Sequence, residues 1–216
     1  MDRFLPLVLL SLLMASCNVD KGKMSIYVEP FYNSKPFKIA VGEYSAKLTT
    51  NSKVGTRSVA NEIKERIDEV IIETLFVLPI RLYDLGLKDE ASYWYYAARL
   101  RKNIFIRMED RATYRSNMGD YLQAFKRLSG QWINGYSYGN PDKLAAILEQ
   151  VVEDNRNMAY IRKAYPTLYV FKPEEKQMTC MREQVDAILE HAKYIRENKE
   201  EMLQTRKVNE MTGVKR

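Results

Sequence analysis

Apolar positions recur at helical spacing along most of this chain, most densely between Lys88 and Glu109. Within that stretch Trp94, Ala97, Ala98, Ile104, Phe105 and Met108 fall on one face, and Tyr93, Tyr96 and Leu100 widen it. A helix that is apolar around most of its circumference belongs in the middle of a domain. Its polar exceptions, Lys88, Ser92, Arg99, Asn103 and Arg107, line up as one narrow strip. The plainer reading is a core helix with one wetted edge. The alternative gives the strip, chiefly Arg99, a ligand-facing role.

The pattern before this helix is different. Ile26-Tyr27-Val28, the run Phe37 to Val41 and an alternating segment from Glu43 to Leu48 are rich in strand formers. Pro30, Asn33, Ser34 and Pro36 punctuate them, which predicts a small β-hairpin or a three-strand patch. Thr49 to Gly55 reads as a polar loop. A helix is expected from Ser58 or Asn61, either of which could cap it. Its apolar face is Ile63, Ile67, Val70, Ile71 and Leu78, with a kink or break at Pro79 and Gly86 as the residue that stops it. The junction Leu85-Gly86-Leu87-Lys88 resembles that of a tetratricopeptide hairpin, but no second copy follows at a fixed period, so a repeat protein is rejected.

Downstream, Tyr114 to Arg127 reads as a helix. Gly130 to Gly139 carries three Gly and three large aromatics, and reads as a loop or a glycine-loosened helix end. Asn140 and Pro141 supply an N-cap and a first-turn proline for a helix ending at Ala164-Tyr165-Pro166. Leu168 to Phe171 reads as a short strand or an extended arm. Pro173-Glu174-Glu175 opens the last helix, whose seam is Met178, Met181, Val185, Ile188, Ala192 and Ile195. Thr212 to Arg216 should fray. The expected fold is mainly α: a bundle of five or six helices over residues 55–211, joined in one fold by a small N-terminal β-hairpin or β-patch at 25–54.

The first residues look like an export signal. Arg3 precedes an apolar run from Phe4 to Met14. That run is shorter than the ~20 residues a membrane span needs and has the length of a signal-peptide core. It ends in Leu13-Met14-Ala15-Ser16-Cys17, which resembles the lipobox of bacterial lipoproteins. Met14 stands where that family prefers Leu, and Asp2 offsets Arg3. The resemblance implies residues 1–16 as a signal peptide cleaved after Ser16, lipid (palmitate among it) on Cys17, and residues 17–24 as a tether. Asn18 follows the cysteine, and lipoproteins held at the inner membrane usually carry Asp there. The resemblance therefore places the chain on the outer membrane by its lipid anchor, facing the periplasm.

Composition narrows the function further. The chain carries a net charge of +6, and removing residues 1–16 leaves that balance unchanged because Asp2 and Arg3 cancel. A positive balance favours an acidic protein face or anionic headgroups as partner; for an exported chain, nucleic acid is not expected. Fifteen Tyr and ten Met suit irregular cores and binding faces alike. With Cys17 lipidated, Cys180 stands alone and reads as a core thiol, not a nucleophile. The single His, His191, cannot make a multi-His metal site and reads as solvated or half-buried. No phosphate loop, serine elbow or paired-Cys zinc motif occurs. An enzyme is therefore the weaker expectation, and no cofactor or metal is expected.

Tyr93-Trp94-Tyr95-Tyr96-Ala97-Ala98-Arg99-Leu100-Arg101, followed by Trp132-Ile133-Asn134-Gly135-Tyr136, resembles small bacterial envelope proteins encoded near secreted toxins. Within that group it is similar to the immunity lipoproteins that guard against type VI secretion phospholipase effectors. The resemblance covers roughly residues 60–160 and the lipobox. It implies a periplasmic protein that binds a toxin and blocks it; an envelope scaffold or assembly lipoprotein is the alternative. The family pattern assigns no contact residues. Judged by residue type and position, the protein-binding candidates are Trp132, Tyr136 and Tyr138 on the glycine-rich segment and Arg99 and Arg107 on the polar strip. Aromatics and Arg dominate interface energetics. Trp132 could equally fill the core beside Trp94. The edge of the β element is a second possible docking surface.

Overall fold

The computed structural model describes residues 26–28, 37–155, 161–164 and 170–212. The apolar run at 4–14, Cys17 and the tether lie outside them, as do residues 165–169 and the expected fray beyond Thr212. Strands β1 (Ile26–Val28) and β2 (Phe37–Ile39) pair antiparallel, with Ile26 opposite Ile39. Two 3-10 turns follow, and then helices α1 (Lys53–Glu65), α2 (Ile72–Asp84), α3 (Lys88–Met108), α4 (Ala112–Ser137), α5 (Pro141–Asp154), the short α6 (Ile161–Ala164), α7 (Glu174–Glu197) and α8 (Lys199–Thr212). The protein is mainly α, a helical bundle as the periodicity predicts.

Helix α3 is the hub, with α2, α4, α5 and α7 all packed on it. Trp94, Tyr95, Tyr96, Ala97, Ala98, Leu100, Ile104 and Phe105 are buried, and the paired alanines let neighbouring helices approach closely. Phe76 of α2 meets Tyr95 edge-on at 6.5 Å and stacks on Phe125 of α4 at 5.8 Å. The α2–α3 turn follows from Gly86, which sits at φ 77. There Gly86 N donates to Tyr83 O and Leu87 N to Leu82 O, both at 2.9 Å. That pair of bonds is a Schellman stop, which favours Gly because other residues are strained at positive φ.

The far end of α3 is held by the connector before α7. Phe171 bridges Glu109 in antiparallel fashion, Asp110 N donates to Val170 O, and Lys172 N donates to Met108 O. Of the segment read as a short strand or an extended arm, Val170 and Phe171 form an isolated bridge with the end of α3, not a strand, and residues 168–169 lie outside the described residues. Asn140 caps α5 by accepting from Lys143 N at 3.1 Å, with Pro141 at the first position.

Several expectations are corrected. The first helix starts at Lys53, not near Ser58 or Asn61, because Ser52 accepts from Gly55 N at 3.2 Å and caps it there. The chain breaks at residues 66–71, whereas Pro79 sits buried inside α2. The break leaves the Ile67 carbonyl free to accept from the buried Arg101 guanidinium at 3.1 Å. Glu43 to Leu48 forms two 3-10 turns, not a strand, and these bury Tyr44 and Leu48. The helix after Asn140 stops at Asp154, because the Asn155 side chain is taken by Arg101 Nε at 2.6 Å and donates back to Val151 O. On α7, Ala192 and Ile195 are buried as the seam requires, but Met178 is 48% exposed.

Candidate functional site

The glycine-rich segment is not a loop. Gly130 to Ser137 continues α4 without a break. Gly130 is needed there: a Cβ at that position would lie 2.7 Å from the Tyr95 hydroxyl of α3. Two more contacts lock this part of α4 onto α3. Tyr96 Oη donates to Asn134 Oδ1 at 2.9 Å, and the hydroxyls of Ser92 and Ser137 meet, buried, at 2.7 Å. The opposite face of α4 is left bare, and Trp132 on it is 60% exposed.

Helices α7 and α8 supply the facing wall. Tyr138, just past α4, holds His191 Nε2 at 2.8 Å and so joins the end of α4 to α7. One turn along α7, Tyr194 is 54% exposed. The chain then turns at Asn198, whose side chain donates to Tyr194 O at 2.9 Å, and α8 residues line the opening. Arg206 of α8 reaches across to Gly135 O at 2.6 Å. These elements enclose a groove of about 950 Å³ lined by Trp132, Tyr138, Tyr194, Met202 and Arg206, among others. Burial pushes the Tyr138 phenol up and the His191 imidazole down, and the Arg99 guanidinium lowers both. A neutral His191 ring can then accept the Tyr138 proton donor.

On the other side of Arg206 lies a smaller cavity of about 270 Å³. Here Tyr136 Oη donates to Asp89 Oδ1 at 2.8 Å and Lys143 Nζ to Asp89 Oδ2 at 2.9 Å. Those two hydrogen bonds, the one from Lys143 first, hold the Asp89 carboxyl below its ordinary range. Lys88 lies over the Tyr83 and Tyr136 rings at 5.3 and 5.4 Å.

The residues singled out in the sequence therefore separate into four places. Trp132 and Tyr138 share the groove. Tyr136 belongs to the Asp89 cavity, where it is already engaged. Arg99 lies over Tyr95 and Tyr96 at 5.7 and 5.5 Å from the ring centroids. Arg107 is exposed at the far end of α3, 3.4 Å from Glu183. Sequence reasoning missed Tyr194, Met202 and Arg206. Their only signal was a tyrosine next to a buried seam position and two apolar residues, Met202 and Leu203, in a charge-dense tail.

Among the described residues no cluster of His, Cys, Asp or Glu could hold a metal ion. Cys180 is half-buried, with Sγ 3.6 Å from Arg107 O. His191 Nε2 has the Tyr138 phenol as its neighbour at 2.8 Å. No helix among the described residues is long and apolar enough to cross a membrane.

Comparison with known proteins adds one relative. No family model matches the chain, and no solved structure matches it. A Haemophilus influenzae protein described as uncharacterized is 29% identical over 136 residues, covering 60% of this chain and 52% of that protein. The chain thus spans about half the length of this relative.

Proposed function

We propose that this chain is a lipid-anchored envelope protein, attached through Cys17 to the outer membrane and facing the periplasm. In this reading it acts as an immunity or inhibitor protein, binding and neutralising a secreted antibacterial toxin of the phospholipase-effector kind. The groove between α4 and α7–α8 holds the toxin. One observation carries the binding part: Trp132 and Tyr194 stand more than half exposed on facing walls of one groove. Large aromatics left in water on a folded surface are characteristic of interface anchors. The lipobox and the resemblance of the Trp94 and Trp132 segments supply the rest.

The anchor is tested by mass spectrometry of membrane-extracted protein. A mature chain beginning at acylated Cys17 is expected, and recovery of an unprocessed chain starting at Met1 contradicts it. The neutralising role is tested by co-expression with the toxin encoded by the neighbouring gene, directed to the periplasm. Cells should survive with the wild-type chain and lyse with Trp132→Ala/Tyr194→Ala. Binding to envelope proteins without any protection would favour the scaffold reading instead.

A further inference from the structure

Among the described residues, three cations on the α3–α4 seam have no carboxylate partner. On α3, Tyr95, Arg99 and Lys102 share one face, because their spacing is close to one and two helical turns. On α4, Lys126, Gly130 and Asn134 share another for the same reason. The contacts set the register between them: Ser92 meets Ser137, Tyr96 meets Asn134, and Tyr95 meets Gly130. Moving forward along α3 therefore means moving backward along α4. That brings Lys126 level with Arg99 and Lys102, and each lies in the others' electrostatic field. Lys102 is only 9% exposed, while Arg99 and Lys126 are half-buried.

Like charges gathered out of water repel and lose solvation, so a fold that keeps them without acids carries a standing cost. Around them stand Asn134 from α4, His191 from α7, and the Tyr95 and Tyr96 rings beneath the Arg99 guanidinium. The buried Tyr95 hydroxyl makes no hydrogen bond of normal geometry, although the Asn134 amide and Arg99 are near enough to act on it. The seam thus offers a guanidinium fork, two ammonium groups and a spare hydroxyl donor and, among the described residues, no carboxylate bonded to them. A phosphate group has the complementary chemistry, with nearly two negative charges and three acceptor oxygens.

We propose that Arg99, Lys102 and Lys126 form a binding site for a phosphate group on the α3–α4 seam beside His191. The three cations are not among the residues that line the aromatic groove, although Asn134 borders both, and the site does not depend on the toxin-binding reading. Bound phosphate offsets the repulsion among the three cations, so it stabilises the folded chain by mass action.

The test compares melting of the full-length protein in sodium phosphate and in sodium chloride at matched ionic strength. Phosphate should raise the Tm of the wild type above its value in chloride. Lys126→Gln and Lys102→Met should each remove that increment. Lys102→Met should also melt no lower than wild type in chloride, since it deletes a desolvated charge, which keeps a folded variant in hand. A second arm measures binding to phosphatidylglycerol and phosphatidylcholine vesicles. A phosphatidylglycerol preference weakened about tenfold by Lys126→Gln identifies a lipid headgroup as the source. A response to inorganic phosphate with no vesicle preference identifies a soluble phosphate. Equal melting in the two salts, together with vesicle binding that the variants do not change, overturns the proposal. A phosphate increment that survives in both variants overturns it as well.

Discussion

Helix α3 and helix α8 make opposite uses of similar material. In α3 the apolar residues are sealed: Tyr95, Ala98, Ile104 and Phe105 have no exposed surface, and Trp94 keeps 6%. In α8, Val208 is 52% and Met211 87% exposed. The described ties between α8 and the bundle include one bond from Arg206 to Gly135 O and an exposed ion pair, Lys199 to Asp142 at 3.3 Å. Exposed ion pairs contribute little, and a sparsely buried element opens locally at low cost. The contrast assigns stability to α3 and its neighbours, and the proposed recognition falls at the edge where α4 meets α7 and α8.

The sharpest way to break that contrast is at the hub. Trp94→Ala should cost about 3–5 kcal/mol in urea unfolding, because it empties a large buried site. A loss below about 1 kcal/mol would mean that α3 is not the stabilising centre. Next in size is Gly130→Ala, which drives a Cβ to 2.7 Å from the Tyr95 hydroxyl. A loss of about 1–3 kcal/mol is expected, and Tyr95→Phe in the same chain should recover part of it.

Much of the hub was legible in the sequence, because a local period is enough to reveal it. Trp94, Ala97, Ala98, Ile104, Phe105 and Met108 are all buried as their spacing implied. The Gly86 stop and the Asn140-Pro141 start are local signals too. Arg101 was not legible. It is the largest fully buried side chain, and its partners, Asn155 and the Ile67 carbonyl, lie far away in sequence. The break at 66–71 was missed for the same reason, since a distant guanidinium uses the carbonyl that the break sets free. Of the candidate site, Trp132 and Tyr138 were found by residue type. Tyr194 and Arg206 were not, because only the packing of α7 and α8 against the distant α4 brings them opposite Trp132. The proposed binding set read from the sequence assumed one surface, and packing divides it among four places.

A smaller effect is expected at the joint between the two regions. Burial, followed by Arg99, holds the His191 pKa below its ordinary 6.5. The unfolded chain therefore takes up the proton first as pH falls. Stability should be unaffected by this group above pH 6.5 and should decline as pH drops from there through the lowered value. Protonation also removes the acceptor that Tyr138 uses. His191→Gln should flatten this part of the pH–stability curve, and an unchanged slope would mean that the joint does not titrate.

The smallest effect on stability should come from the groove itself. Trp132→Ala/Tyr194→Ala should shift unfolding by no more than about 0.5 kcal/mol per site, since both side chains stand largely in water. The most direct measurement is therefore calorimetric titration of this double variant and of wild type with the neighbouring toxin, both proteins first shown to be folded by their melting. The account predicts wild-type binding and a loss of at least about 2 kcal/mol of binding free energy in the variant, as expected for interface anchors. Unchanged affinity in a folded variant would contradict the assignment of recognition to this groove.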